Sequence, residues 1–269
     1  MLIAVDIGNT RTAIGLFHGD RLAAECRIGT PGPDGGEAIT SALEEIRGKA
    51  GTGGGDIRTI GVSSVVPSAA AGLEGVCGRL FGVRPLFIHA DMELGIAIRY
   101  TPRAALGPDR LCNAVAGFSR FGGPLIVVDL GTAITFDVVD ADGSFLGGAI
   151  APGPWSAAAA LHGKTALLPE VELRMPDQAI GRSTEEGMRA GIVFGCADAV
   201  DGMIRRIRRE LGTEARAVAT GGLARLVTPL VPAVETCVPS LVLDGIRIIC
   251  SRVTRRGPPP SGKADEPGR

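Results

Sequence analysis

The feature that most constrains this chain is a strand-turn-strand pattern that occurs twice. The first copy spans residues 2–17, LIAVDIGNTRTAIGLF, in which an apolar run reaches Asp6, passes Gly8 and Thr10, and resumes as a second apolar run. Apolar runs bounded by turn residues predict strands, and glycine permits a tight bend. A carboxylate and backbone N–H groups at such a bend suit a phosphate and its Mg²⁺. The alternative is a surface hairpin in which Asp6 and Asn9 only complete turn hydrogen bonds.

The second copy, within residues 124–153, keeps the same order of strand, Asp129, Gly131, Thr132 and strand. In both copies a third strand follows, in the second after an Asp-Gly turn. Two copies predict a duplicated fold, in which pseudo-symmetry places the two bends face to face across a cleft. We predict one half over residues 1–118 and a second over 119–255. Residues 256–269 are rich in Pro, Gly and charge, and we predict a disordered tail there.

The remaining local patterns predict an α/β protein. We expect strands over 2–7, 12–17, 21–28, 59–67 and 84–89, and helices over 37–50, 68–81 and from Leu106 to Phe118. In the second half we expect helices over 154–168 and 183–211, the latter with breaks at its glycines. Residues 215–226 predict a strand, a glycine turn and a helix, and the backbone at Gly221 and Gly222 can pass close to an adenosine.

Composition narrows the class of partner. The formal net charge is -1 and aromatic residues are 4% of the chain, which argues against nucleic acid and against an anionic membrane surface. Six cysteines without a C-x-x-C pair, and only 3 histidines, argue against a zinc cluster. The chain enters a strand without a basic leader and has no apolar run of membrane-spanning length, so we expect a cytoplasmic protein.

The segment GPDR, residues 107–110, precedes a predicted helix. Taken alone, it is a helix start with Asp109 placed favourably near the positive end of the helix dipole. The other motifs change this interpretation. They are DIGNT (6–10), SSVVP (63–67), LCNAVAG (111–117), DLGTAITFD (129–137), GGAIAPG (147–153), the LLP of 167–169 and GRSTEEGMRAG (181–191).

These motifs, in this order and over nearly all of residues 1–250, resemble the type III pantothenate kinases of the acetate and sugar kinase/Hsp70/actin superfamily. The resemblance implies duplicated ribonuclease H-like (actin-like ATPase) domains with mixed sheets flanked by helices. It also implies phosphorylation of pantothenate to 4'-phosphopantothenate by ATP, the first step of coenzyme A biosynthesis.

The resemblance implies a role for each matching residue on the pantothenate side. Asp109 would be the general base that takes the proton of the pantothenate hydroxyl, and Arg110 would bind an anionic group. Thr184 would reach the substrate from a neighbouring subunit of a homodimer, although it also suits a helix cap. Asp137 closes its motif, and we assign it only a structural role. The expected substrate-binding residues are Tyr100, Gly107, Pro108, Asp109, Arg110 and Thr184.

On the ATP side, the resemblance implies that Asp129 holds a monovalent cation, K⁺ or NH₄⁺, and that Asp6 faces Mg²⁺ through water. The expected ATP-binding residues are Asp6, Ile7, Gly8, Asn9, Thr10, Arg11, Thr12, Ala13 and Thr132. Two alternatives remain open at this stage: a kinase for another small alcohol, and a non-catalytic accessory or regulatory protein on the same fold.

Overall fold

The structure is a computed structural model that describes residues 1–32, 36–49 and 57–256. Its first sheet has five strands in the order β3-β2-β1-β4-β5. Strand β1 pairs with β2 in antiparallel and with β4 in parallel orientation. The strands are β1 (Leu2–Ile7), β2 (Arg11–His18), β3 (Arg21–Gly29), β4 (Thr59–Ser64) and β5 (Leu86–Phe87).

The second sheet repeats this order and adds one strand. Its strands follow each other as β11-β10-β7-β8-β9-β6, in which β7 pairs antiparallel with β8 and parallel with β10. They are β6 (Ala97–Ile98), β7 (Leu125–Leu130), β8 (Ala133–Val139), β9 (Ser144–Pro152), β10 (Arg216–Thr220) and β11 (Thr236–Cys237). The predicted duplication is therefore present, and the additional strand β6 comes from the segment between the two sheets.

The helices flank these sheets. Helices α1 and α3 belong to the apolar core of the first sheet, and α6 belongs to that of the second. The helices are α1 (Gly36–Lys49), α2 (Pro67–Ala70), α3 (Leu73–Phe81), α4 (Pro108–Phe121), α5 (Pro154–Lys164), α6 (Thr184–Leu211), α7 (Ala224–Val227) and α8 (Leu241–Arg256). None of the helices in the described part of the chain combines the length and the apolar character that crossing a membrane requires.

Helices α4 and α8 join the two halves. They pack on each other, and their buried side chains share one core with residues of both sheets, including Ala4 of β1 and Val127 of β7. Gly245 of α8 makes this packing possible, because a Cβ there would lie 2.1 Å from the carbonyl oxygen of Cys112 on α4. The halves are thus held together by a central helix pair. The predicted division between residues 118 and 119 falls in the last turn of α4 and stays a prediction.

The element predictions are largely confirmed, with four differences. Gly72 has a φ of 80° and divides the expected helix 68–81 into α2 and α3. The expected strand 84–89 is only two residues long, α5 ends at Lys164, and α6 runs without a break. Helix α6 tolerates its glycines because Ile192, Val193 and other apolar residues bury one face along its length. The predicted tail lies, from residue 257 on, outside the described residues.

Candidate active site

The two turns predicted from the repeated pattern lie against each other. In the first, the N–H of Gly8 donates to the carbonyl of Arg11 at 3.0 Å, and in the second the N–H of Gly131 donates to the carbonyl of Ala133 at 3.0 Å. The hydroxyl oxygens of Thr10 and Thr132 are 2.8 Å apart. The two turns are therefore in direct contact, although they are far apart in the sequence.

A cavity of about 430 Å³ opens at this contact. Its walls combine both turns, three carboxylates, the glycine turn after β10 and the start of α8. Pockets of this size and mixed polarity are typical of small-molecule sites. The lining residues include Asp6, Gly8, Asn9, Thr10, Arg11, Ala13, Asp109, Asp129, Thr132, Trp155, Gly221, Gly222, Ser240 and Val242.

Asp6 lies at the end of β1, where its Oδ1 accepts a hydrogen bond from Ser63 Oγ at 2.9 Å. Burial raises the pKa of Asp6 to about 7, against the lowering effect of that hydrogen bond. The negative charges of Asp109 and Asp129 raise it further. A buried carboxylate with acidic neighbours is stabilised by a cation, so Asp6 is suited to face one.

Asp129 holds the corresponding position at the end of β7, but its support comes from a different element. The side-chain amide of Asn113, on α4, donates to Asp129 Oδ2 at 2.9 Å. Burial raises the pKa of Asp129 to about 6, and the charge of Asp109 adds to the rise. Among the described residues, Asn113 Oδ1 is buried without a hydrogen-bond partner, so an acceptor oxygen is left over beside this carboxylate.

Asp109 lies in the first turn of α4, which begins at Pro108 with Gly107 before it. Its Oδ1 accepts a hydrogen bond from the backbone N–H of Arg110 at 2.9 Å. Burial raises the pKa of Asp109, against the lowering effects of that hydrogen bond and of the Arg110 charge. Asp109 therefore occupies the favourable end of the helix dipole and also lines the cavity, so the two interpretations of GPDR are compatible.

The side chain of Arg110 lies in a buried cluster. Its Nε donates to Asp137 Oδ1 at 2.6 Å, and its guanidinium lies 5.7 Å from the ring centre of Tyr100 and 5.6 Å from that of Phe145. The two rings pack edge to face. The structure thus brings two predicted substrate residues, Tyr100 and Arg110, together next to the cavity rather than in its wall.

The other predicted residues divide into two groups. Seven of the nine expected ATP-binding residues line the cavity, whereas Ile7 and Thr12 are fully buried in the hairpin behind it. Thr184 is exposed at the start of α6 and is not a lining residue. The cap of that helix is Ser183, whose Oγ accepts from the N–H of Glu186 at 3.2 Å, so the Thr184 hydroxyl is not the cap.

Sequence reasoning missed the residues that close the cavity on the side of α8. Arg27 donates to the carbonyl of Pro239 at 3.2 Å, and Ser240 Oγ donates to Glu25 at 2.9 Å. These contacts connect β3 with a segment more than 200 residues later. No local pattern signals such a contact, so only the folded chain reveals it.

No group of three or more His, Cys, Asp and Glu side chains suited to a metal ion occurs in residues 1–32, 36–49 and 57–256. Asp6 and Asp129 are single carboxylates on opposite turns. A cation at either one would take its further ligands from a bound phosphate, from water or from neutral oxygens such as Asn113 Oδ1.

Comparison with known proteins points to one family. A family model described as type III pantothenate kinase matches residues 2–206. A type III pantothenate kinase from Thermomicrobium roseum is 44% identical over 255 residues, which cover 95% of this chain and 98% of that protein. Another, from Roseiflexus castenholzii, is 40% identical over 249 residues, which cover 93% and 98%.

Two solved structures show the same fold at low identity. Component A of the (R)-2-hydroxyglutaryl-CoA dehydratase of Acidaminococcus fermentans has a TM-score of 0.57 at 14% identity, covering 95% of this chain and 98% of its own. A ROK hexokinase from Thermus thermophilus has a TM-score of 0.50 at 16% identity, covering 95% and 99%. Together with the two mixed sheets, they confirm the predicted duplicated actin-like α/β fold.

Proposed function

Because this chain belongs to the type III pantothenate kinase family, we infer that it phosphorylates pantothenate with ATP to 4'-phosphopantothenate, the first step of coenzyme A biosynthesis. The observation that carries this function is the cavity where both turns, Asp6, Asp109 and Asp129 meet. The test is ADP release from ATP and Mg²⁺ in the presence of K⁺, with pantothenate and a panel of other small alcohols. We expect release with pantothenate, and a preference for another alcohol would contradict the assignment.

For the chemical step we propose Asp109 as the general base. Its raised pKa suits a group that accepts a proton from an attacking hydroxyl, and its place in the cavity wall brings it next to the turns. The proton of the pantothenate hydroxyl passes to the carboxylate while the oxygen forms its bond to the γ-phosphorus and the bond to the β-phosphate oxygen breaks. Phosphoryl transfer depends mainly on positioning and charge stabilisation.

We propose that the two turns bind the phosphates and that the glycine turn after β10 receives the adenosine. The two turns supply hydrogen-bond donors for the phosphates: backbone N–H groups, the hydroxyls of Thr10 and Thr132, and the side chain of Arg11. Asp6 would face Mg²⁺ through water, and Asp129 with Asn113 Oδ1 would hold K⁺ or NH₄⁺. Bound Mg²⁺ neutralises charge on the β- and γ-phosphates.

We propose a homodimer in which α6 forms the contact between subunits. This proposal is supported by the outer face of α6, where a Cβ on Gly187, Gly191 or Gly195 would meet no described atom within 4 Å. Large apolar side chains of the same half are also exposed, including Leu167 at 90% and Ile180 at 81%. Thr184 begins this helix and would approach the substrate of the other subunit.

A mixing experiment tests this assembly. Asp109→Asn and Thr184→Arg protomers are each expected to be inactive, and they are dissociated and reassociated together. If each site takes Thr184 from the partner, a mixed dimer contains one site with both changes and one intact site, so activity returns. Absence of recovery in verified mixed dimers, or an active monomer in sedimentation, would contradict the proposal.

We also propose a cytoplasmic location. The six cysteines are all free thiols, which is typical of proteins in a reducing compartment.

A further inference from the structure

Asp137 is a buried acidic residue that takes no part in the phosphate and cation sites proposed above. It lies on β8 with 0% exposure, and its Oδ1 accepts from Arg110 Nε at 2.6 Å. Thr135 donates to its other oxygen at 3.3 Å. A buried ion pair contributes little net stability compared with apolar residues of the same volume, because removing both charges from water is costly. Stability alone therefore does not explain this pair.

The pair fixes the orientation of the guanidinium. Arg110 is 7% exposed, and its guanidinium packs against the adjacent rings of Tyr100 and Phe145, which restrict its movement on that side. Asp137 accepts the hydrogen bond from Nε and so restrains the orientation of the planar guanidinium. Three neighbours thus hold one side chain, although Arg110 is long and flexible by nature.

One nitrogen of this guanidinium, Nη2 of Arg110, is buried and has no hydrogen-bond partner within the described residues. A buried guanidinium donor without a partner is costly, and a ligand with an acceptor oxygen removes that cost. Gly148 leaves room beside this atom: its missing Cβ would lie 3.5 Å from Nη2 and would also overlap the carbonyl of Phe136.

We propose that Asp137 is a positioning residue for substrate binding: it holds Arg110 by Nε so that Nη2 meets the carboxylate of pantothenate. This inference rests on the proposed function, because it assumes that pantothenate is the substrate. Asp109 and Arg110 are consecutive on α4, so an Arg110 fixed in this way also fixes the substrate relative to the base. Asp137 itself need not touch the substrate.

The test compares two ligands that differ only in the acid group. Pantothenate carries a carboxylate, and panthenol carries a hydroxymethyl group in its place. The KM of pantothenate and the inhibition constant of panthenol as its competitor are measured for the wild type, Asp137→Leu and Asp137→Asn. Glu235→Leu is the matched control, because it removes an acid from an exposed arginine pair with Arg216 in the same sheet.

We expect Asp137→Leu to raise the KM of pantothenate by about 10- to 100-fold, the range for one charge-assisted hydrogen bond. Its effect on panthenol is expected to be much smaller, so the preference for the acid falls. Asp137→Asn keeps an acceptor for Nε and is expected to restore most of the preference, and Glu235→Leu to leave it at the wild-type value. A general folding defect would weaken both ligands alike and leave the preference unchanged.

A double variant keeps the test decisive if Asp137→Leu folds poorly. Arg110→Met with Asp137→Leu replaces the whole pair by apolar side chains and is expected to fold. Its KM is expected to equal that of Arg110→Met alone, because Asp137 acts only through Arg110. An unchanged preference in a folded Asp137→Leu variant, or a further KM rise in the double variant, overturns the proposal. If the wild-type enzyme does not phosphorylate pantothenate at all, that result rejects the proposed function rather than the positioning role of Asp137.

Discussion

The two sheets share a strand order but differ at one edge. The first sheet ends at β3, whereas the second continues past β9 to β6, a strand from the segment that connects the two sheets. This extra strand leads directly to Tyr100, and β9 contributes Phe145, so the cluster around Arg110 forms at this edge. The comparison shows that the repeated turns come from the symmetry of the fold, and that the proposed substrate side forms where the symmetry ends.

The two turns also hold their carboxylates differently. Asp6 accepts a hydrogen bond from the hydroxyl of Ser63, its neighbour on the adjacent strand of the same sheet. Thr220 on β10 holds the corresponding position beside Asp129, but Asp129 accepts its hydrogen bond from the side-chain amide of Asn113 on α4. Equivalent backbone positions thus have different polar atoms beside them, which is consistent with our proposal that they face two different cations. Four predictions test this comparison.

The largest effect is expected from Asp109, which neither turn contains. Asp109→Asn is expected to lower kcat by about 10²- to 10⁴-fold, the usual contribution of a positioned base, and to leave the fold intact. The measurements are ADP release and the thermal melting curve. An Asp109→Asn enzyme with kcat close to that of the wild type would show that the base lies elsewhere.

The second prediction concerns the two carboxylates of the turns. Asp6→Asn and Asp129→Asn are each expected to lower activity about tenfold or more, because each removes a buried charge that we propose to face a cation. Asp6→Asn is expected to raise the Mg²⁺ concentration needed, and Asp129→Asn to abolish the difference between K⁺ and Na⁺. Titrations of both ions with each variant check this. Identical ion profiles for the two variants would show that the turns are functionally equivalent.

The third prediction concerns pH in the absence of cations. The folded pKa of Asp6 is about 7 and that of Asp129 about 6, both above the value of an unfolded chain. At a pH between the unfolded and the folded pKa of each carboxyl group, the folded protein binds more protons than the unfolded chain. Its stability is therefore highest at low pH and falls as the pH rises towards the folded pKa values.

We therefore expect the melting temperature in a chelating, K⁺-free buffer to decrease from about pH 4 to about pH 7 and to level off above that. Asp6→Asn is expected to remove more of this decrease than Asp129→Asn, and the matching cation to reverse it. A melting temperature that rises steadily over the same range would show that these carboxylates are not the destabilising groups.

The smallest effect is expected from the glycines of the two turns. A Cβ at Gly8 would lie 3.0 Å from the carbonyl oxygen of Arg11, whereas one at Gly131 would have no atom closer than 3.5 Å. Gly8→Ala is therefore expected to be less stable than Gly131→Ala by about 1 kcal/mol, or a few degrees in melting temperature. Equal melting temperatures would indicate that the first turn adapts as easily as the second.

The sequence predicts the strands on either side of the two repeated turns, because local apolar runs and turn residues are enough to identify them. Apolar runs before Asp6 and Asp129 identify β1 and β7, and the glycine turns identify the hairpins. Strand β6 is only two residues long and exists through its pairing with Ser144 and Phe145, so no local pattern identifies it. The break at Gly72 depends on a left-handed backbone conformation that glycine permits but does not require.

The site is predictable to the same extent. Asp6, Asp109 and Asp129 lie in motifs, and all three line the cavity. Arg27 and Ser240 take part through contacts between segments more than 200 residues apart. Asn113 lies in the motif 111–117, but its role depends on the hydrogen bond to Asp129 that the folded chain forms. Asp137 belongs to a motif, but its significance depends on Arg110 lying beside it, which follows only from the packing of α4 on β8.

Helix α4 carries both Asp109 and the partner of Asp129, and this arrangement sets a distance. Asp109 and Asn113 are four residues apart on one helix, so they share a face and are separated by about 6 Å along its axis. Inserting one residue between them would rotate Asn113 by about 100°. Asp109, the proposed base, and Asp129, which Asn113 supports, would then lose their alignment although neither had been replaced, so the length of this single helical turn is itself under constraint.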